Sequence, residues 1–247
     1  MTAAKFYYKT NYLRECLLSK NNVFHSGDLF ETISQTLQSK QYTEISEQNA
    51  RKMSNMSREI LNLSSAFDYI FPDFNSLYPV PASLEFNSDL AKKLNEIIVQ
   101  YLFVNAGKYR SNMVFPSGYG TYVIPAKIES SMEKLFKDTR DVLTAKRDLT
   151  TIIKVAACFT SKFLTIHPFQ NGNDLTVRLL LSYILSDYTN SLPVSLALKH
   201  SQWIDIVANE HYHFNDRENG SSLASCIAEN MWQSLNKFCT SLDLDSS

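Results

Sequence analysis

The run His167-Pro168-Phe169-Gln170-Asn171-Gly172-Asn173-Asp174-Leu175-Thr176-Val177-Arg178 lies between two apolar stretches of helical period, and it constrains the chain more than any other segment. Upstream, Val155, Phe159, Phe163 and Ile166 recur at three- and four-residue steps, so Thr151 to Ile166 reads as a largely buried helix. Leu175 to Leu185 reads as a second helix, with Asn173 or Asp174 at its N-cap and Pro168 helping to end the first. The chain thus makes helix, polar Gly-containing loop, helix. Backbone N–H groups freed by such a turn, with the positive end of the helix dipole behind them, favour phosphate oxygens.

These residues resemble the signature loop of the Fic (Fido) family, His-Pro-Phe-x-(Asp/Glu)-Gly-Asn-(Gly/Lys)-Arg-x-x-Arg, whose usual activity is transfer of AMP from ATP to a protein hydroxyl. His167, Pro168, Phe169, Gly172, Asn173 and Arg178 match in register, and Asn171, Asp174 and Leu175 depart. Ala106-Gly107-Lys108-Tyr109-Arg110, then Val114-Phe115 and Tyr122-Val123-Ile124-Pro125, are similar to the family's Gly-x-(Tyr/Phe)-Arg segment and β-hairpin flap. The hairpin also reads independently, because Ser117-Gly118-Tyr119-Gly120 is turn chemistry between two runs of β-branched and aromatic residues. Glu59-Ile60-Leu61-Asn62, with Ala66 and Tyr69-Ile70, resembles the helix that precedes the core, so the likeness spans roughly residues 30 to 235.

The resemblance implies a role for each matching residue. Nucleotide transfer needs a base for the attacking hydroxyl, donors for charge growing on the α-phosphate, and an escort for the leaving pyrophosphate. His167 suits the base, Gly172 lets backbone approach phosphate, and Asn173 offers an amide donor to an α-phosphate oxygen. Arg178 is placed to aim a bidentate fork at the distal phosphates, and Phe169 to anchor the loop in the core. Trp203 and Asn209 resemble positions lining the adenine pocket, while Trp203 equally suits core packing.

The departures bear on metal and charge. The family's Asp/Glu holds Mg²⁺, whereas Asn171 offers a metal only a neutral carbonyl oxygen. Leu175 removes a cation near the β-phosphate, or simply extends an apolar helix face. Asp174 is either a plain N-cap or a repelling charge at the mouth, and a carboxylate about 7 Å from one phosphate charge costs roughly 2 kcal/mol at an effective dielectric of about 20.

A second element of the site is expected upstream. Many Fic proteins carry an autoinhibitory helix of the form (Ser/Thr)-x-x-x-Glu-(Gly/Asn), whose Glu pairs with the second signature Arg. Thr43-Glu44-Ile45-Ser46-Glu47-Gln48-Asn49 resembles it, which would pair Glu47 with Arg178; the alternative is a solvated helical Glu47. Ser225-Cys226-Ile227-Ala228-Glu229-Asn230 is a rival match, although it falls where the last core helix belongs. His211 and His213 beside Glu210 lack the companion pair that a metal site needs. Lys108 and Arg110 read as solvated basic residues.

A chain of 247 residues with only six Gly and seven Pro can bury a substantial core without flexible linkers. A net charge of −1 gives no global attraction to nucleic acid or anionic membrane. Cys16, Cys158, Cys226 and Cys239 have no metal-type spacing, and Cys158 reads as a small core residue. Lys5, Lys9, Arg14 and Glu15 interrupt any N-terminal signal or membrane segment, which favours the cytoplasm, or export by a route needing no signal peptide.

Helices are expected over Leu29–Lys40, Glu47–Asn62, Leu90–Val104, Ile128–Leu143, Thr151–Ile166, Leu175–Leu185, Ser201–Glu210 and Ser221–Phe238, with strand only near Asn112–Ile124. The expected fold class is all-α, a Fic-type helical bundle with a short β-hairpin flap. Its expected organisation is an N-terminal helical extension over 1–80, a core over 81–240 and a tail over 241–247. The expected function is transfer of AMP, or another nucleoside monophosphate, from a nucleoside triphosphate such as ATP to a Ser, Thr or Tyr hydroxyl of a target protein, with Mg²⁺ as cofactor. The alternatives are an impaired module that binds nucleotide or protein, and an enzyme that removes AMP or transfers another phosphate-linked group. A homodimer is compatible with either.

Overall fold

The computed structural model describes residues 3–18, 26–39, 54–72, 74, 84–115, 122–145, 148–189, 192–196 and 221–245. Its helices are α1 (Ala3–Leu18), α2 (Ser26–Gln38), α3 (Asn55–Ile70), α4 (Ser88–Val99), α5 (Pro125–Leu143), α6 (Leu149–Ile166), α7 (Asn173–Leu185) and α8 (Ser221–Asp245), with a 3-10 turn at Ser186–Tyr188. No strand occurs among the described residues. Among the described residues an isolated antiparallel bridge pairs Tyr109 with Phe169. The expected hairpin turn, residues 117–120, lies outside the described residues, as does the helix expected at Ser201–Glu210.

Local chemistry sets the helix starts. Ser54 accepts from the Ser57 N–H, Asn87 from the Leu90 N–H and Asp148 from the Thr151 N–H, each covering a donor that the first turn leaves open. Pro125 occupies the first turn of α5, where its missing N–H costs nothing. α6 is the pivot of the bundle and packs against α5, α7 and α8. Its apolar face carries Ile152, Ala156, Phe159, Phe163 and Ile166. Phe86, Phe136 and Phe159 meet there with ring centroids 4.7 to 5.3 Å apart, in tilted and edge-on arrangements that aromatic quadrupoles favour.

Four expectations need correction. The helix expected to end at Val104 stops at Val99, because Asn62 Nδ2 donates to the carbonyls of Ile98 at 3.1 Å and Gln100 at 2.8 Å and takes over the helix end. Tyr101 then turns left-handed at φ 58°, leaving Tyr101, Phe103 and Val104 exposed. Cys158 is exposed rather than in the core. It lies two positions, about 200° of helical rotation, from buried Ala156. The helix placed over Glu47–Asn62 continues to Ile70, and α8 runs past Phe238 into the expected tail.

α1 was not legible as a helix, because its charged residues are themselves buried. Lys9 donates to both oxygens of Asp68 on α3, at 2.6 and 2.8 Å. Glu15 accepts from Ser195 Oγ and Lys237 Nζ. With Lys5, Lys9 and Glu15 all inside, no polar stripe marks the amphipathic period. α1 and α3 share one continuous hydrophobic cluster with α4 to α8, so the N-terminal helices are part of the core that carries the loop.

Candidate functional site

α6 ends on His167, which takes a left-handed conformation (φ 48°, ψ 61°) and turns the chain out of the helix ahead of Pro168. The chain re-enters helix at Gly172, the N-cap of α7, also left-handed at φ 81°. Asn173 and Asp174 are therefore the first helical residues rather than caps, and no side chain caps α7. The backbone donors at its N-terminus face the loop, the arrangement that attracts an anion.

Phe169 points into the core. It is buried, lies 5.5 Å from the Tyr109 ring and 6.3 Å from Phe163, and pairs with Tyr109 through the backbone bridge. Asn173 differs from expectation. Its Oδ1 accepts from the Phe169 N–H at 3.0 Å, and its Nδ2 donates to the Phe169 carbonyl at 2.7 Å. The side chain is buried and clamps the turn from within.

Arg110, read from sequence as a solvated cation, is the buried hub of the site, 4% exposed. Nε donates to the His167 carbonyl at 2.7 Å, Nη1 to the Asn112 carbonyl at 2.9 Å, and Nη2 to the carbonyls of Val123 and, at 3.3 Å, Ile166. Its backbone N–H reaches the Pro168 carbonyl at 2.9 Å. One guanidinium thus joins the end of α6, the start of the loop and both sides of the flap segment. Lys108, two positions earlier, is exposed as expected.

A second organising residue, Asn95 of α4, also escaped the sequence reading. Its Nδ2 donates to the Asn171 carbonyl at 2.8 Å and its Oδ1 accepts from the Gly107 N–H at 3.1 Å, which joins the loop to the segment before the flap. The available signal was a polar residue on the apolar face made by Leu90, Ala91, Leu94 and Ile98. Asn95 also explains why position 172 is glycine. A Cβ there would meet Val99 Cγ1 at 2.7 Å and Asn95 Nδ2 at 2.9 Å, on a backbone that L side chains rarely adopt. Gly172→Ala is expected to cost about 2 to 4 kcal/mol, combining left-handed strain with overpacking. Urea unfolding of the variant checks this, and a loss under about 0.5 kcal/mol would mean that the turn relaxes freely.

His167 packs its ring against Tyr122, centroids 4.1 Å apart and nearly parallel at 14°. Burial, reinforced by the Arg110 charge, holds its imidazole down at about 4, so it is neutral near pH 7. The Tyr122 phenol is pushed up by burial and stays protonated. A neutral imidazole, stacked on Tyr122 and carried on a backbone carbonyl that Arg110 holds, can accept a proton from a hydroxyl.

Arg178 is placed differently from the sequence expectation. Its side chain is 1% exposed and turned inward. Nε donates to both oxygens of Asp174 at 3.1 Å, and Nη1 donates to the Leu196 carbonyl at 2.6 Å. Leu175 is buried, in line with an apolar helix face. For Mg²⁺ the fit is poor: among the described residues no group of three acidic, His or Cys side chains is placed to hold a metal. The loop's one carboxylate has both oxygens on Arg178. Asn171, a neutral residue at the expected metal position, has its backbone carbonyl on Asn95. Glu47, Trp203, Asn209, His211 and His213 lie outside the described residues. In the rival inhibitory match, Glu229 is on the exposed face of α8 and accepts from Gln233 Nε2 at 3.1 Å.

The chain is thus an all-α helical bundle that presents a His-led loop at the N-terminus of a buried helix. Residues 85–185 match the family model described as the Fic/DOC family. It is 24% identical over 143 residues to a Fido domain-containing protein of Dictyostelium discoideum, covering 58% of this chain and 98% of that one. It is 31% identical over 128 residues to the protein named protein adenylyltransferase Fic of Nematostella vectensis, covering 51% of this chain but only 28% of that one. Among solved structures, a Fic domain-containing signaling protein from Bacteroides thetaiotaomicron shares the fold at TM-score 0.63 and 15% identity, over 94% of this chain and 90% of that one.

Proposed function

We propose that this chain is a protein nucleotidyltransferase that moves AMP, or another nucleoside monophosphate, from a nucleoside triphosphate to a Ser, Thr or Tyr hydroxyl of a target protein. The carrying observation is His167, neutral and rigidly held one short loop before the open N-terminus of α7. In the proposed step its imidazole takes the hydroxyl proton. The hydroxyl oxygen bonds to the α-phosphorus as the bond to the bridging oxygen breaks, and pyrophosphate leaves with that electron pair. Backbone N–H groups of the loop and α7 stabilise the charge on the α-phosphate. Trp203 and Asn209 are proposed to line the base pocket, and Glu47 to restrain the site. The likeness to the Nematostella adenylyltransferase supports this reading.

The test is intact-mass detection of self-modification after incubation with Mg²⁺ and each of ATP, GTP, CTP and UTP, using wild type, Glu47→Gly and His167→Ala. One nucleoside monophosphate adduct, absent from His167→Ala, is expected. No adduct in any folded variant would favour the second reading, a nucleotide- or protein-binding module. The observation on that side is the inward-facing Arg178, held by Asp174.

A further inference from the structure

Arg178 heads the largest fully buried side chains of this protein, and a carboxylate on its own helix meets its charge. Asp174 lies one turn nearer the helix N-terminus than Arg178 and remains 29% exposed, against 1% for the arginine. Behind the pair, Tyr12 and Cys16 of α1 lie within the field of the cation, and Tyr12 Oη shares a 3.0 Å hydrogen bond with Ser182 Oγ. The Leu196 carbonyl holds Nη1 from the other side. The guanidinium is thus held inward by Asp174 and by the Leu196 carbonyl. An anion arriving at the N-terminus of α7 meets the carboxylate of the pair before it meets the cation.

We propose that Asp174 is the residue that limits triphosphate affinity here: by pairing with Arg178 inside the fold and adding its own charge in the first turn of α7, it lets the site tolerate one phosphate group and disfavours the added charge of a triphosphate. This inference rests on the nucleotide-transfer reading above and specifies how that activity is restrained. Asp174 acts through Arg178 and is a positioning residue. The first phosphate is served by backbone N–H groups and the helix dipole, which Asp174 opposes only in part. Each further phosphate adds charge that a free guanidinium would meet, but that a neutralised pair does not.

The experiment measures binding of ATP and AMP by isothermal titration to the full chain, as wild type, Asp174→Asn and Asp174→Glu. Wild type is expected to bind ATP no tighter than AMP. Asp174→Asn keeps a hydrogen-bond acceptor for Arg178 and removes the charge. It should tighten ATP about tenfold and change AMP less than about threefold. Asp174→Glu, which restores the charge, should return the wild-type ratio, a rescue that a merely structural role would not produce. Equal changes for ATP and AMP, or none, would overturn the inference while leaving a nucleotide site in place. The wild-type ratio is informative without any variant, since a preference for ATP of tenfold or more overturns the inference directly. Failure of every folded protein to bind either nucleotide would overturn both the inference and the reading beneath it.

Discussion

Arg110→Ala is expected to destabilise the protein by about 3 to 5 kcal/mol and to abolish any activity that depends on the loop. The guanidinium donates to the carbonyls of Ile166, His167, Asn112 and Val123, and its partners among the described residues are backbone oxygens. Removing it leaves several buried acceptors without a donor, at about 1 to 3 kcal/mol for each one that water cannot reach. Arg110→Lys should recover little, because an ammonium on a flexible stem cannot span carbonyls that the planar fork reaches together. Urea unfolding at neutral pH measures the loss. A value below about 1 kcal/mol for the alanine variant would show that water replaces the guanidinium and that the hub is dispensable.

His167 should titrate near 4 in the free protein rather than at the ordinary 6.5, because burial and then Arg110 oppose its protonation. The sign for stability follows from linkage. Below 6.5 the unfolded chain takes up a proton that the folded imidazole refuses, so the folded state loses stability as pH falls from about 6.5 to about 4. The loss from this group is on the order of 2 kcal/mol after allowing for its partial exposure. Above pH 6.5 the contribution is complete and flat. Comparing wild type with His167→Gln at pH 7 and pH 4.5 isolates it from carboxylates elsewhere, and an NMR titration of the imidazole gives the midpoint. A midpoint near 6.5 would refute the buried-base picture. For the transfer reaction, the same shift predicts no fall in rate between pH 8 and pH 6 from protonation of His167.

The sequence made the frame of the site legible where one residue type carries one job. The helix periods on either side of the loop follow from local pattern and have their counterparts in the structure, whereas Gly172, offered by the resemblance as room beside phosphate, sits in the structure at a left-handed turn closed by Val99 and Asn95. What escaped were residues whose work is long-range. Arg110 and Asn95 look like ordinary surface or helix residues until the loop more than fifty positions later is laid against them. Tyr122 shows no mark in sequence of its stack on His167. Asn173 and Arg178 were recognised as site residues, but their directions depended on neighbours at short range. Phe169 captures the one, and Asp174 with Leu196 captures the other. Charge pattern alone could not separate a fork aimed outward from one paired inward.

The direction of those long-range ties bears on how the site is assembled as the chain is made. Asn62, Asn95, Gly107, Arg110 and Tyr122, which shape the loop or the helix end beside it, all precede His167 in the sequence. Because a ribosome delivers the N-terminal part first, the holders are available before the segment that they hold has emerged. The inward restraint on Arg178 has a different timing, since it needs Leu196. A nascent chain therefore acquires the His167 loop and the hub around it before it acquires the full set of contacts that turn the arginine away.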